Sequence, residues 1–359
     1  MNSGLIYLYE STFILLSIRI KNMNKQREIR STIYDVASKA GVSITTVSRY
    51  INNPDSVKNS TGEKIAKTMD QLDYTPQGNA GSRANRSVGR VGVLTPFFPA
   101  PSYVERLEGI IHPLRQNNYE VIIYTIEGVD QLDEYLTSVP FTRRIDGLIL
   151  MSVKLSDEQH RTLKASGLSV VMVESDDENY SRVLADDYRG GQMAAELFLK
   201  KDYFPCAYMG DLNYDLPYSF QPSESRFKGF RDKLFGGKKE IKKTMILKSG
   251  TAVDDALTVF SNFLDKNKCP RAIFAMSDVQ AIGIIKAARE REIKIPEELA
   301  VIGFDDIEGA NWMELSTISQ HLKDSGRIAA GLLLELMNGE GKAIQKTNLQ
   351  VSLIERATT

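Results

Sequence analysis

Two patterns of apolar and polar positions divide the 359-residue chain. Between Ser31 and Leu72, apolar residues recur every three or four positions, which is the spacing of short amphipathic helices. From Arg90 onward, short apolar runs of strand length alternate with longer amphipathic stretches of helix length. Strands and helices that alternate in this way favour parallel sheets covered by helices on both faces. The sequence therefore predicts a small helical domain followed by a larger α/β region.

The helical region begins with two short helices joined by a tight turn at Gly41. The first helix has its apolar residues on one face: Ile33, Val36, Ala37 and Ala40. The second helix, which Ser43 is placed to cap, repeats this spacing with Ile44, Val47 and Ile51. Its other faces carry hydroxyl side chains and an arginine: Thr45, Thr46, Ser48 and Arg49. Two helices of this kind predict a helix-turn-helix, whose second helix can enter the major groove of DNA.

A third helix over residues 61–72 completes the predicted DNA-binding domain, residues 31–76. A segment rich in Gly, Ser and Arg follows at residues 77–89 and is predicted to be a hinge linker. Residues 24–90 carry 11 Lys and Arg against 6 Asp and Glu, whereas residues 91–359 carry 32 against 39. A basic head on an acidic body suits a DNA-contacting module attached to a part that does not touch DNA.

The remainder, residues 90–359, contains enough alternating units for two doubly wound subdomains. Eight strands are predicted at 91–94, 121–124, 147–151, 169–173, 206–210, 244–247, 272–275 and 300–304. Seven helices are predicted near 103–117, 157–166, 190–200, 223–235, 253–265, 279–289 and 324–337. Ligands of such folds bind at the carboxyl ends of the strands, so a ligand cleft is expected there.

The first 30 residues form an N-terminal extension that is largely apolar between Gly4 and Ile20. No positive charge precedes this stretch, no small-residue cleavage site follows it, and Glu10 interrupts it, so neither an export signal nor a membrane span is expected. The basic residues after Met23 indicate that translation begins there. Two cysteines, Cys206 and Cys269, suit a reducing compartment, and we expect a cytoplasmic, nucleoid-associated protein.

The segment 32–53, TIYDVASKAGVSITTVSRYINN, resembles the DNA-binding signature of the LacI/GalR family of bacterial transcription regulators. Weaker matches to family motifs continue along the chain, at RIDGLI (144–149), ADDYRG (185–190), RFKGF (226–230), IGFDD (302–306) and STISQ (316–320). The resemblance implies an all-α helix-turn-helix domain followed by an α/β effector domain like a periplasmic binding protein. It places subdomain I at 90–186 and 321–341, and subdomain II at 187–318 and 345–356.

The same resemblance supplies candidate DNA contacts: Thr32, Ser43, Ile44, Thr45, Thr46, Ser48, Arg49, Asn52 and Arg83. Three departures from the family pattern affect the surroundings of these contacts. Lys58 stands where a capping Ser is usual, and Gly62 stands where an Arg is usual. The hinge lacks the Leu that family members wedge into the minor groove, with Arg83 in its place. Two interpretations stay open for the hinge: a flexible basic tether, or an arginine that enters a narrow minor groove.

Candidate effector contacts carried over from the family or placed near the cleft are Phe98, Tyr103, Asp187, Arg226, Asp278 and Asp305. The planar fork of Arg226 suits vicinal hydroxyls or a carboxylate, although an arginine that bridges the subdomains is the alternative. Asp278 and Asp305 could accept hydrogen bonds from a sugar or could cap a helix. No cofactor or metal is expected, because the three histidines are scattered and no zinc spacing exists.

The sequence therefore predicts a transcription regulator, most simply a repressor, that acts as a homodimer on operator DNA. The implied effector is a sugar or sugar phosphate; a phosphocarrier protein or a nucleobase corepressor is the alternative. The basic helix-turn-helix argues against a solute-binding protein without a DNA role. The chain shows no Gly-rich phosphate loop, nucleophile motif or Cys/His constellation, so it is not expected to be an enzyme. No leucine heptad tail follows residue 356, which favours a dimer over a tetramer.

Overall fold

The computed structural model describes residues 32–52, 54–72, 74, 88–142, 144–211, 216–220, 222–341 and 343–359. The chain divides into two compact units at the boundary between Arg86 and Ser87. The N-terminal extension, Met23 and most of the predicted hinge, including Arg83, lie outside the described residues. No helix in the described ranges is long and apolar enough to cross a bilayer.

In the first unit, the described residues form three helices and one short 3-10 turn. They are α1 Ile33–Ala40, α2 Ile44–Asn52, the turn Pro54–Ser56 and α3 Asn59–Gln71. The α1 helix begins with a capping box, in which Thr32 and Asp35 satisfy each other's backbone N–H groups. It ends at Gly41, whose φ of 63° is the left-handed conformation that glycine adopts at little cost. The tight turn expected from the sequence is confirmed.

The core of this unit consists of the apolar residues that the helical spacing singles out. Val36, Ala40, Val47 and Ile65 are fully buried, and they draw all three helices together. Lys58 precedes α3 without a side-chain cap, as expected from the absence of Ser at this position. Gly62 lies against the Tyr50 ring, where an added Cβ would come within 2.9 Å of a ring carbon. A larger residue at this position would therefore have to displace the Tyr50 ring.

The described residues of the second unit form twelve strands in two six-stranded sheets. The strands are β1 Gly89–Thr95, β2 Tyr119–Thr125, β3 Gly147–Met151, β4 Ser169–Val173, β5 Ser181–Ala185, β6 Cys206–Gly210, β7 Ile246–Lys248, β8 Ala272–Ala275, β9 Ala300–Asp305, β10 Ser316–Ser319, β11 Lys346–Leu349 and β12 Ser352–Ile354. The first sheet has the order β2-β1-β3-β4-β5-β11, with all neighbours parallel. The second has the order β7-β6-β8-β9-β10-β12, in which only β12 is antiparallel to its neighbour.

Helices cover both faces of each sheet. They are α4 Pro101–Gln116, α5 Val129–Ser138, α6 Asp157–Ser166, α7 Asp187–Lys200, α8 Ser223–Gly236, α9 Val253–Leu264, α10 Asp278–Arg289, α11 Glu308–Trp312 and α12 Leu322–Met337. In the first subdomain, α4 and α12 pack on one face and α5 and α6 on the other. In the second, α7 and α8 cover one face and α9 and α10 the other. The predicted doubly wound α/β architecture is confirmed.

The end of the chain corrects one predicted boundary. Residues 345–356 were assigned to subdomain II, but Lys346–Leu349 pairs in parallel with Ser181–Ala185 of the first sheet. Only Ser352–Ile354 joins the second sheet. The sequence does not reveal β11 because it is an exposed edge strand, KTNL, with one side facing solvent and no apolar run. The strands β5 and β10 and the helices α5 and α11 were also absent from the predicted elements.

Candidate DNA-binding helix and effector cleft

The second helix of the helix-turn-helix presents a polar face to solvent. Thr45 and Arg49 are exposed, and they lie four residues apart on one side of α2. Asn52 falls on the same side by helical spacing, although its side chain is outside the described residues. Ser43 caps α2 as predicted, because its hydroxyl accepts a hydrogen bond from the Thr46 N–H at 3.2 Å. This face has the small and basic side chains that reading a major groove requires.

The remaining candidate DNA contacts are less accessible. Thr32 is exposed, but its hydroxyl already donates to Asp35 at 2.7 Å within the α1 cap. Ile44 is half-buried against the domain core, and Thr46 shares a 2.8 Å hydrogen bond with Ser43. Ser48 is only 8% exposed. Its predicted outward position is wrong, because its side chain is buried although it follows Thr45 by three residues along the helix.

The ligand cleft lies where the carboxyl ends of strands from both sheets meet, as predicted for this topology. Half of its ten polar lining residues lie at or within two residues of the end of a strand: Glu174 after β4, Asp211 after β6, Ser277 after β8, Asp305 at the end of β9 and Gln320 after β10. Three aromatic rings complete the walls: Phe97 and Phe220 from loops, and Tyr103 from the first turn of α4. The cleft contains about 660 Å³ of space free of protein atoms, part of it open to solvent.

Arg226 is fixed at the base of this cleft by groups of its own subdomain. Its Nε donates to Asp187 at 2.8 Å, its Nη1 donates to the Met276 carbonyl at 2.6 Å, and the guanidinium carbon lies 3.8 Å from the centre of the Phe304 ring. Burial alone would lower the pKa of Arg226, but Asp187 and Asp305 raise it above its usual value. Because these partners are all in subdomain II, the alternative in which Arg226 bridges the subdomains is wrong.

One connection between the subdomains runs through Arg106, a residue that sequence reasoning missed. Arg106 projects from α4, is 2% exposed and forms an ion pair with Glu174. Its Nη2 also donates to Gln320 at 2.9 Å, and the Gln320 amide in turn donates to Asp305. A continuous hydrogen-bonded path therefore links Glu174 of the first subdomain to Asp305 of the second.

Tyr103 joins this path from the first subdomain. Its hydroxyl donates to Ser152 at 2.8 Å, and Ser152 donates to Glu174 at 2.9 Å. Burial and the charge of Glu174 raise the pKa of Tyr103 above its usual value, so the hydroxyl stays protonated and keeps its hydrogen bond to Ser152. Burial also raises the pKa of Asp305 to about 7, although Arg226 and Arg106 oppose the shift. The cleft thus holds several buried titratable groups at one place.

Only three of the six predicted effector contacts line the cleft: Tyr103, Arg226 and Asp305. Phe98 is not among the lining residues, and its neighbour Phe97 takes that place. Asp187 is not among the lining residues either, and it holds Arg226 in place through an ion pair. Asp278 is fully buried and accepts hydrogen bonds from the Ile307 N–H at 2.9 Å and the Thr317 hydroxyl at 2.6 Å.

The cap expected near Asp278 belongs to Ser277, whose hydroxyl accepts from the Gln280 N–H at 3.3 Å. Ser277 also lines the cleft, so the two functions expected of Asp278 fall on the residue before it. The carboxyl of Asp278 instead ties α10 to the ends of β9 and β10. Burial raises the pKa of Asp278 well above its usual value, and the charge of Asp305 adds to this shift.

A helix-turn-helix unit that is followed in the chain by a two-subdomain α/β unit with a polar cleft defines the class of ligand-responsive DNA-binding regulators. Residues 32–77 match the family described as bacterial regulatory proteins, lacI family, and residues 208–359 match the periplasmic binding protein-like domain. The transcriptional regulator DegA of Bacillus subtilis (strain 168) is 30% identical over 339 residues, covering 92% of this chain and 98% of DegA. This chain belongs to the LacI family of bacterial transcription regulators. The relatives that it matches, such as DegA, are transcription regulators and not enzymes.

Solved structures agree with this fold. The chain is similar to the transcriptional regulator CelR in complex with cellobiose, with a TM-score of 0.67, 23% identity and coverage of 92% of this chain and 100% of CelR. It is also similar to the lac repressor dimer bound to operator and the anti-inducer ONPF, with a TM-score of 0.66, 24% identity and coverage of 92% and 99%. The two likenesses extend over both the helix-turn-helix and the α/β unit.

Proposed function

We propose that this protein is a repressor whose affinity for operator DNA is controlled by a sugar-like small molecule bound in the cleft. The observation that supports this most is the cleft itself, which combines aromatic walls with hydrogen-bonding groups from the strand ends of both subdomains. Binding sites for small polar ligands typically join apolar walls to a few converging polar groups. Cellobiose is the ligand named with the similar CelR structure.

The recognition step follows from the exposed face of α2. Thr45 is small enough to let the helix lie close to the bases, and Arg49 can donate two hydrogen bonds to a guanine. Asn52 extends the same face by one helical turn and suits adenine. We propose that these three residues read the operator in the major groove, with Ser43 and Thr46 mainly holding the start of α2.

Control by the effector requires that it bind one arrangement of the subdomains better than another. The path from Glu174 through Arg106 and Gln320 to Asp305 is one of the contacts that join them, and it lies in the cleft. An effector that forms hydrogen bonds with residues of this path would change the relative stability of the subdomain arrangements. Since a pseudo-palindromic operator presents two half-sites, we propose that the protein acts as a homodimer. The site of action is then the cytoplasm, where the chromosome lies.

The test uses an operator selected from a random-sequence DNA pool with the purified full chain. We expect Arg49→Ala to bind this operator about 10–100-fold more weakly, because one bidentate base contact is lost. The matched control is Arg161→Ala, which removes an exposed arginine of α6 in the other unit and should leave affinity unchanged. Fluorescence anisotropy at fixed salt measures both variants. Equal binding by wild type and Arg49→Ala would contradict the proposed recognition face.

A further inference from the structure

Among the described residues that line the cleft, one carboxyl group has an oxygen without a hydrogen-bond partner. Asp211 directly follows β6, lines the cleft and is only 8% exposed. Its Oδ1 is one of five buried side-chain atoms in the described ranges that have no hydrogen-bond partner, with Thr95 Oγ1, His160 Nδ1, Ser175 Oγ and Gln280 Oε1. Of these five residues, only Asp211 belongs to the cleft lining.

An unpartnered buried acceptor costs stability, so its presence in a ligand cleft calls for an explanation. The other charged residues of the lining are already engaged. Arg106 is paired with Glu174, and Arg226 with Asp187 and Asp305. Among the described lining residues there is no lysine and no arginine that lacks an acidic partner. The uncompensated charge of the cleft is therefore that of the Asp211 carboxylate.

We propose that Asp211 binds a hydroxyl or ammonium donor of the effector and that the cleft accepts an unphosphorylated ring while excluding phosphorylated ones. This inference rests on the proposed function, since it concerns the ligand of the same cleft. A carboxylate in its ionised form is an acceptor only, so it binds a ligand that donates. A phosphate would meet this carboxylate without an unpaired cation to balance its own charge.

The walls of the cleft fit the same class of ligand. Phe97 and Tyr103 lie with ring centres 5.7 Å apart, and Phe220 adds a third ring from the loop after β6. Aromatic faces of this kind cover the apolar surface of a ring, while its edge hydroxyls reach polar groups. Tyr103, Gln320 and Arg226 would surround the hydroxyls, and Asp211 would bind the one that makes the strongest, charge-assisted hydrogen bond.

The test compares matched probes: D-glucose, D-glucosamine and D-glucose 6-phosphate; D-ribose and D-ribose 5-phosphate; and cellobiose. Isothermal titration calorimetry of the full chain gives the affinity of each. We expect at least one of the unphosphorylated probes, which are the sugars and the amino sugar, to bind. Each sugar phosphate should bind at least tenfold more weakly than its parent sugar. In Asp211→Asn, affinity for the bound probes should fall by about 10–100-fold, as for the loss of a hydrogen bond to a charged group. The control Asp130→Asn changes an exposed carboxyl of α5 and should bind as wild type does.

A second readout needs no ligand. Because the Asp211 carboxylate has no partner in the protein, Asp211→Asn without ligand should melt at the same temperature as wild type or higher. A fall of more than about 4 °C, or about 1 kcal/mol, would mean that Asp211 stabilises the fold and would overturn the inference. Tighter binding of a phosphate than of its parent sugar, unchanged affinity in Asp211→Asn, or no binding by any unphosphorylated probe would also overturn it. If only the sugar phosphates bind and they weaken operator binding, the inference about Asp211 fails but the proposed function survives. If no small molecule affects operator binding, the proposed function fails together with the inference.

Discussion

The ion pair between Arg106 and Glu174 allows a quantitative test of the path between the subdomains. Glu174→Gln keeps the shape of the side chain and removes its charge. Arg106 is then left 2% exposed with Ser325 and Gln320 as hydrogen-bond partners but without its carboxylate. Removing one member of a buried pair costs about 3–5 kcal/mol, and the amide oxygen of Gln still accepts a bond, so we expect about 3 kcal/mol.

The expected loss corresponds to a fall in melting temperature of about 6–12 °C, at about 2–4 °C per kcal/mol for a unit of this size. Urea unfolding followed by circular dichroism gives the free energy of unfolding directly. The control is Glu196→Gln, which disrupts a surface cluster where Glu196 accepts from Arg189 at 2.8 Å and pairs with Lys233 at 2.7 Å. Because solvent screens exposed pairs, this change should cost less than about 1 kcal/mol.

The double variant Arg106→Met/Glu174→Gln tests whether the unpaired charge of Arg106, and not a change in side-chain packing, causes the loss of stability. With both charges removed, no ion is left uncompensated, and we expect most of the 3 kcal/mol to be recovered. The reasoning is refuted if Glu174→Gln is no more destabilising than Glu196→Gln. It is also refuted if the double variant is less stable than the single one, since the buried charge would then not be the cause.

Three further predictions follow from the burial and spacing of single residues. Burial raises the pKa of Asp305 to about 7, so the fold favours the protonated form of this carboxyl. The stability that this protonation contributes is full near pH 4 and is lost as the pH rises to 7. Urea unfolding of Asp305→Asn should therefore lack this decline. Gly191→Ala would place a Cβ 2.0 Å from the Arg226 carbonyl oxygen and should lower the free energy of unfolding by about 3 kcal/mol or more. Its control, Gly331→Ala, has open space around the added Cβ and should raise the free energy of unfolding by about 0.5–1 kcal/mol in the same assay. Ser48→Ala should lower the melting temperature by a few degrees but leave operator affinity within about twofold, because the hydroxyl is buried.

The fold could be predicted from the sequence where the apolar pattern is strong. The parallel sheets and their helices are confirmed because buried strands such as Gly147–Met151 are apolar throughout. The edge strand Lys346–Leu349 could not be found in this way, because only alternate side chains are partly covered. Its pairing with Ser181–Ala185 is decided by contacts between distant parts of the chain. Local spacing carries no information about such contacts.

The missed residue Arg106 did leave a signal in the sequence, in the form of an internal repeat. Arg226 lies in RFKGF, and Arg106 lies in RLEGI, with the same spacing from arginine to glycine. The two glycines have the same function, since an added Cβ on Gly109 or Gly229 would lie 2.0 Å from a carbonyl oxygen of the helix packed against it. Each subdomain thus brings α4 or α8 into close contact with its partner and buries an arginine at the same point. A search for repeats would have placed Arg106 in the cleft beside Arg226.

The error at Asp278 has a different cause, which limits any assignment of ligand contacts from sequence. The end of a strand can be located from its apolar run, and β8 ends at Ala275 as predicted. Which of the next residues faces the cleft depends on the direction in which the chain turns into the helix. Ser277 turns toward the cleft, while Asp278 turns inward to the Ile307 N–H and the Thr317 hydroxyl. Asp211 also lies beyond a strand end, but it lines the cleft and its Oδ1 has no hydrogen-bond partner. Two carboxyls that look equivalent in the sequence therefore differ in the fold: the protein satisfies that of Asp278 and leaves an oxygen of Asp211 without a partner.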